Sequence, residues 1–114
     1  MTRDPKRFPD DDNGDTLWHM AQQGDDLSKP REIDFSVIFA TEAQALQFAV
    51  HLLQNGQKVS FGPYDGDDDR PWQVEVHPVM EPTHENISGF EALLASDAEP
   101  LGGRNDGWGC FSQD

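Results

Sequence analysis

Residues 31–61, REIDFSVIFATEAQALQFAVHLLQNGQKVSF, decide the fold because the spacing of their apolar side chains changes along the stretch. Alternation over residues 31–39 is typical of a strand with one buried face. Helical spacing in the middle of the stretch is typical of an amphipathic helix. The buried strand positions are Ile33, Phe35, Val37 and Phe39, and the helical stripe is Leu46, Ala49, Val50 and Leu53. The stretch therefore predicts a strand, a helix and a second strand.

Local sequence patterns set the ends of this helix and predict a hairpin after it. Thr41 followed by Gln44 is a capping-box pattern, and Gly56 supplies a C-terminal stop. Residues 57–61 and 71–79 each favour a strand, and a long polar connection joins them. We expect an antiparallel hairpin whose inward side chains are Val59, Phe61, Trp72, Val74 and Val76.

Two more helices are predicted, one near each end of the chain. Thr83 can cap a helix that ends before Pro100, and a short glycine-framed strand follows it. Near the N-terminus, Asp12 or Asn13 can cap a short helix that stops at Gly24. After this first helix the order is strand, helix, strand, strand, helix, strand, which is the split βαβ arrangement.

The predicted fold class is therefore α+β and ferredoxin-like. Right-handed crossovers would place two helices on one face of a four-stranded antiparallel sheet, with the short N-terminal helix before it. The chain of 114 residues is long enough for one domain with a modest core. We assign residues 1–11 to a mobile acidic arm and residues 12–114 to a single domain.

The charge balance indicates what kind of partner to expect. Eight Lys and Arg against 22 Asp and Glu give a formal net charge of −14. This charge repels nucleic acids and anionic membranes and attracts basic protein surfaces. Cys110 is the only cysteine, and the sequence has neither a long apolar run nor the apolar stretch of a signal peptide. We expect a soluble cytoplasmic protein with a basic protein segment as its partner.

The second face of the predicted sheet carries polar side chains. Asp34 and Ser36 alternate with the apolar positions of the first strand, and Glu75 and His77 do so on the third. A sheet that binds RNA presents aromatic side chains there, with basic residues nearby, and this pattern has neither. The face is interpreted either as a solvated surface or as a protein-contact surface formed by these four residues.

The acidic runs do not have the spacing of a calcium loop. An EF-hand loop needs glycine at its sixth position. A loop that starts at Asp65 has Arg70 there, and one that starts at Asp11 has Thr16. The runs therefore favour solvated loops over a calcium site.

A small metal-dependent or cysteine-dependent enzyme is the alternative function, with His77, Glu75 and Cys110 as its candidate residues. A zinc site would combine His77, His84 and Cys110, but these residues do not have zinc-ligand spacing. No histidine stands in a recognisable order with the cysteine to activate it as a nucleophile. The sequence predicts a protein that is not an enzyme, with no catalytic residue, metal or cofactor.

The segment GGRNDGWGCF, residues 102–111, combines flexible glycines with Trp108 and Cys110. Its glycines do not open a helix after a strand, so they do not predict a phosphate-binding loop. They would let the backbone bend around Trp108. Trp108 is interpreted as a structural anchor, with a partner contact as the alternative.

Several passages resemble the regulator of ribonuclease E activity B (RraB) family. The resemblance runs from Phe8 to Phe111 and includes NGQKV and PWQVEV. Its most specific part is a tetrad formed by Asp106, Gly107, Trp108 and Gly109. The second most specific part is GDDLSKPREIDF, with Gly24, Asp25, Asp26, Arg31, Asp34 and Phe35.

This resemblance implies a fold and a function. It implies a ferredoxin-like α+β fold, which agrees with the order derived from the sequence pattern. It also implies a non-enzymatic protein that binds the non-catalytic C-terminal scaffold region of ribonuclease E and inhibits it, thereby modulating RNA decay. An acidic domain would be attracted to Arg-rich scaffold segments. The better-known members have a long acidic tail after the tetrad, whereas this chain ends at Asp114.

Overall fold

The computed structural model describes residues 4–66 and 68–110, and the elements below are those of this part of the chain. Residues 1–3 of the expected arm and the end of the expected domain, including Phe111, lie outside the described residues. The helices are α1 (Asp12–Gln22), α2 (Glu42–Gln54) and α3 (His84–Ala98), and a 3₁₀ turn follows at Glu99–Leu101. The strands are β1 (Arg31–Glu32), β2 (Asp34–Phe39), β3 (Val59–Pro63), β4 (Trp72–Val76), β5 (Val79–Met80) and β6 (Arg104–Gly109).

The main sheet has four antiparallel strands in the order β3-β4-β2-β6. Strands β3 and β4 form the hairpin that the sequence predicts. Phe61, which was predicted as an inward side chain, is 41% exposed because β3 lies at the edge of the sheet. Helices α2 and α3 contribute buried side chains to one cluster with the inward residues of the strands, so both helices pack on the same face. The α+β class is therefore confirmed.

Two strands that the sequence predicts as continuous are each interrupted. Residues 31–39 divide at Ile33, and residues 71–79 divide at His77 and Pro78. The outer pieces β1 and β5 pair antiparallel as a separate two-stranded sheet. Proline has no backbone N–H and cannot continue a central ladder, and here the Pro78 carbonyl instead accepts a hydrogen bond from Ile33 N at 2.8 Å. The prediction of two uninterrupted strands is wrong for this reason.

The helix caps follow the predicted pattern at two of three positions. The side chains of Thr41 and Thr83 accept hydrogen bonds from backbone N–H groups of the first turns of α2 and α3. The cap of α1 is Asp11, which accepts from Gly14 N at 2.7 Å. The prediction of Asp12 or Asn13 as this cap is therefore wrong by one or two residues.

A second, smaller hydrophobic cluster lies around α1. Its buried members are Phe8, Leu17 and Leu27, and the rings of Phe8 and Trp18 meet edge to face at 5.2 Å. Phe8 belongs to the segment that the sequence assigns to an arm, and its side chain is 5% exposed. Trp108 packs against both this cluster and the main core, so it connects α1 to the sheet.

Strand β6 contains a bulge in the middle of the glycine-framed segment. Phe35 pairs with Trp108 and Val37 pairs with Asn105, so two residues of β6 lie opposite Ser36 alone. One of them, Gly107, has a φ of +97°, a conformation that glycine adopts without strain. Trp108 consequently shares the core-facing side of the sheet with Phe35.

Candidate protein-binding surface

The polar face of the sheet contains a groove of about 360 Å³. Three of the four residues predicted for this face line it: Asp34, Ser36 and Glu75. The tetrad at residues 106–109 lines it as well, and Tyr64 contributes from the connection after β3. The structure therefore brings the predicted contact face and the most specific family-like residues into one groove.

Tyr64 is a component of this groove that the sequence pattern did not indicate. Its hydroxyl donates to Asp106 Oδ2. Tyr64 follows β3 at one edge of the sheet, whereas Asp106 lies in β6 at the other edge, so the side chain and its connection must reach across the polar face. On the same face Gln73 Nε2 donates to Ser36 Oγ at 2.7 Å, and Ile38 is completely buried. The face is therefore partly covered.

His77, the fourth predicted residue, lies in a network beside the groove. Its Nδ1 is 2.6 Å from Asp34 Oδ1, and its Nε2 is 2.8 Å from Ser60 Oγ. Glu32 Oε1 is 3.9 Å from the same Nδ1, and Lys58 Nζ bonds Glu32 Oε2 at 3.0 Å. The network holds the Asp34 carboxylate in place at the end of the groove.

Glu32, Asp34 and His77 also bring potential metal-ligating atoms within 4.8 Å of one another. The Lys58 ammonium is bound to one of these carboxylates and would repel an incoming cation. His77 Nδ1 and Asp34 Oδ1 are already joined by a short hydrogen bond. The contacts are those of a hydrogen-bonded network that contains the ion pair of Lys58 with Glu32, and a metal ion would compete with Lys58 for the Glu32 carboxylate.

We therefore expect stoichiometric Zn²⁺ to leave the melting temperature of the protein almost unchanged. Specific binding at a hundred times the dissociation constant would add about 2.7 kcal/mol to the free energy of unfolding and raise the melting temperature by several degrees. Differential scanning fluorimetry with Zn²⁺ and with EDTA measures this directly. A zinc-dependent rise that disappears in His77→Ala would contradict the expectation and restore the metal-dependent alternative.

The residues of the alternative enzyme site are not arranged around one cleft. Glu75 lines the groove on the polar face, whereas Cys110 packs against the main core. Burial raises the pKa of the Cys110 thiol, although the nearby Arg31 guanidinium acts in the opposite direction. A raised pKa keeps the thiol protonated and makes it a poor nucleophile at neutral pH.

The second family-like passage forms a buried ion pair. Arg31 Nη1 donates to both carboxylate oxygens of Asp25, each at 2.8 Å, and Nη2 donates to the Asp26 carbonyl at 2.8 Å. The two side chains are only 3% and 2% exposed. Burial alone would lower the pKa of Arg31, but the Asp25 carboxylate outweighs it and holds that pKa above its usual value. The charged pair therefore fixes the loop between α1 and β1.

The other members of this passage have separate positions. Asp26 Oδ1 accepts hydrogen bonds from Ser28 Oγ at 2.6 Å and Ser28 N at 3.1 Å, and these bonds lower the pKa of Asp26. Gly24 ends the α1 region with a φ of +90°. Phe35 is buried in the main core, and only Asp34 reaches the groove. Most residues of this passage therefore stabilise the structure and do not line the groove.

A second cleft, of about 560 Å³, lies on the helix side of β6. Helix α1, helix α3 and β6 form its walls, and Trp108 is one of its lining residues. The Trp108 Nε1 donates to Asn13 Oδ1 at 2.9 Å, and Asn13 Nδ2 donates to Glu91 Oε1 at 2.6 Å. Trp108 is therefore held by polar contacts of the cleft and by apolar contacts of both clusters.

Comparison with known protein families identifies the family to which this chain belongs. The model of the family described as regulator of ribonuclease activity B matches residues 10–110. The chain belongs to the RraB family. The match covers the groove, the buried ion pair and the tetrad together. Among curated proteins, none matches the sequence closely enough to count as a relative.

Membership in the RraB family places the protein among regulators of ribonuclease activity. A ribonuclease is accordingly the implied partner. In the part of the chain that the structure describes, no helix is both long and apolar enough to cross a membrane. The family-like residues thus lie in three places: the surface around β6, the interior, and, for Gly24 and Asp26, the exposed loop between α1 and β1.

Proposed function

We propose that this RraB-family protein binds ribonuclease E through a basic segment of its non-catalytic scaffold region and lowers its activity on RNA. It does so in the cytoplasm by protein contact alone, without catalysing a reaction. The observation that carries the proposal is the groove on the polar face, where Asp34, Glu75 and Asp106 come together. No Lys or Arg side chain is among the described residues that line this groove.

The charge of the whole chain supports the same partner. A net charge of −14 attracts a basic segment over several ångströms and raises its rate of association. The same charge disfavours direct contact with RNA. Competition for the Arg-rich segments that hold RNA would then lower ribonuclease activity without any contact to the catalytic centre.

We also infer that the domain is ferredoxin-like in detail, with α1 as an additional helix. The strand order β3-β4-β2-β6 and the position of α2 and α3 on one face support this arrangement. It leaves the polar face free of helices, so a partner can approach the groove there. The residues of the contact are proposed to be Asp34, Ser36, Glu75, His77 and the tetrad.

Binding to purified scaffold segments of ribonuclease E should be strong at low salt and weaken steeply as salt is added. The groove carboxylates are near the surface, so counter-ions screen them within about 10 Å at 0.1 M ionic strength. Isothermal titration at about 50 mM and at higher salt measures the effect. A segment with its Arg and Lys replaced by Gln is the matched control and should not bind.

An absence of binding at about 50 mM salt, where screening is weakest, would refute the proposed partner. Binding that is equal for the native and the Gln-substituted segments would refute the electrostatic basis. Inhibition is tested separately by the rate at which ribonuclease E cleaves a model RNA with and without the protein.

A further inference from the structure

Strand β6 is an edge of the main sheet, because its sheet neighbour among the described residues is β2 alone. An edge strand presents backbone N–H and C=O groups that another chain can pair with. The exposed residues of this strand are Arg104 at its start, then Asp106, Gly107 and Gly109. Two of these four residues are glycines, so a second backbone can approach closely beyond Arg104.

A cleft lies on each side of this edge. The groove on the polar face and the cleft on the helix side share Gly107 and Trp108 as lining residues. Each cleft is lined by three carboxylates and, among the described residues, by no Lys or Arg. The carboxylates are Asp34, Glu75 and Asp106 on the polar face, and Asp11, Asp12 and Glu91 on the helix side.

Neutral donors hold a carboxylate in each cleft without cancelling its charge. Glu91 Oε1 accepts from the Asn13 amide at 2.6 Å, and Asp106 accepts from the Tyr64 hydroxyl. Both clefts therefore attract cations. Trp108 adds an aromatic ring, a group on which a guanidinium can stack.

We propose that β6 is the docking edge for an extended basic segment of a partner protein, which pairs with it as an additional strand. Successive side chains of a strand point to opposite faces of a sheet. Neighbouring Arg or Lys residues of the segment would therefore enter the two clefts in turn. A run of consecutive basic residues fits this edge, whereas a helix would direct its basic side chains to one cleft only.

The negative charge of the chain opposes a second copy of it as the occupant. Two chains of net charge −14 repel each other, whereas a basic segment is attracted. This inference rests on the proposed function for the identity of the partner, but the edge itself can be tested with a synthetic peptide.

The probe is a short peptide with consecutive arginines at its centre, flanked by Thr and Val. A second peptide of the same sequence has alternate backbone nitrogens methylated, which removes N–H donors but keeps every charge. The protein variant Asp12→Asn with Glu75→Gln removes one carboxylate from each cleft. The control variant Glu42→Gln with Glu99→Gln removes the same charge from residues that line neither cleft.

We expect the full-length protein to bind the unmethylated peptide, and methylation to weaken binding by at least about tenfold. The cleft variant should weaken it by about tenfold, and the control variant by no more than about twofold. Equal affinity for both peptides, or equal losses in the cleft and control variants, would overturn the docking edge and leave only net-charge attraction.

Titration of the ribonuclease E segment in parallel separates the two proposals. If the segment binds and the peptides show no dependence on the edge, the docking edge is refuted and the proposed function stands. If the peptide binds as expected but the segment does not, the edge stands and ribonuclease E is the wrong partner. If neither the peptide nor the segment binds, both proposals are refuted.

Discussion

Replacing Arg31 with Met should lower the free energy of unfolding by about 3–5 kcal/mol. The change leaves the Asp25 carboxylate buried at 2% side-chain exposure without the guanidinium that bonds both of its oxygens. It also removes the donor to the Asp26 carbonyl. Since a domain of this size is stable by only about 5–15 kcal/mol, the loss is a large part of the total. Urea denaturation followed by tryptophan fluorescence measures it.

Two variants serve as controls for this effect. Lys58→Met removes an exposed ion pair with Glu32 and should cost less than about 1 kcal/mol. The double change Asp25→Leu with Arg31→Met removes both buried charges and should be markedly more stable than Arg31→Met alone. Equal stability of the single and double variants would show that the buried charge of Asp25 is not the cause.

Replacing Trp108 with Ala should lower the free energy of unfolding by about 2–4 kcal/mol, somewhat less than for a completely buried Trp. The indole packs against both hydrophobic clusters and donates to Asn13, so the change removes packing and a hydrogen bond between α1 and the sheet. The melting temperature should fall by more than about 10 °C. Differential scanning calorimetry provides the measurement.

A milder substitution distinguishes packing from partner contact. Trp108→Phe keeps much of the apolar contact and loses the hydrogen bond, so it should cost about 1 kcal/mol. If Trp108→Ala were as stable as the native protein but no longer bound the ribonuclease segment, Trp108 would be a partner contact and not an anchor.

The spacing of apolar residues along the chain was sufficient to predict the helices and strands that build the main core. The alternation in β2 depends on local backbone geometry, and the caps at Thr41 and Thr83 depend on residues three positions apart. The predicted stripe of α2 is wrong at Leu46, Val50 and Leu53, which are 44–56% exposed. The buried face is Ala45, Phe48, Ala49 and Leu52, which has the same i, i+3, i+4, i+7 spacing, so spacing alone did not distinguish the two faces. These features are encoded within a few neighbouring residues. The α+β class follows from their order.

Features that depend on distant residues were not visible in the pattern. Asp25 and Arg31 are charged, and charged residues are expected at the surface unless a partner is known to be close. Tyr64 reaches Asp106 from a connection that periodicity describes only as polar. The division of the long strands depends on Pro78, whose effect on the ladder the sequence could have indicated.

The candidate surface was predicted only in part, because some of its contacts are local and others join residues far apart in the chain. Asp34, Ser36 and Glu75 share one face because strand alternation places them there. Their proximity to the tetrad depends on β6 pairing with β2, a contact between residues far apart in the chain. The helix-side cleft was missed completely, since its residues come from α1, α3 and β6.

The bulge at Gly107 determines which face of the sheet each side chain of the tetrad occupies. In a regular strand, residues two apart lie on the same face, so Asp106 and Trp108 would point the same way. The additional residue interrupts the alternation of side chains between the two faces of the sheet. The tetrad therefore supplies the Asp106 carboxylate to the outer groove and the Trp108 indole to the interior. Without the bulge, Asp106 and Trp108 would lie on the same face, so the backbone conformation at Gly107 is constrained by the surface and by the core at once.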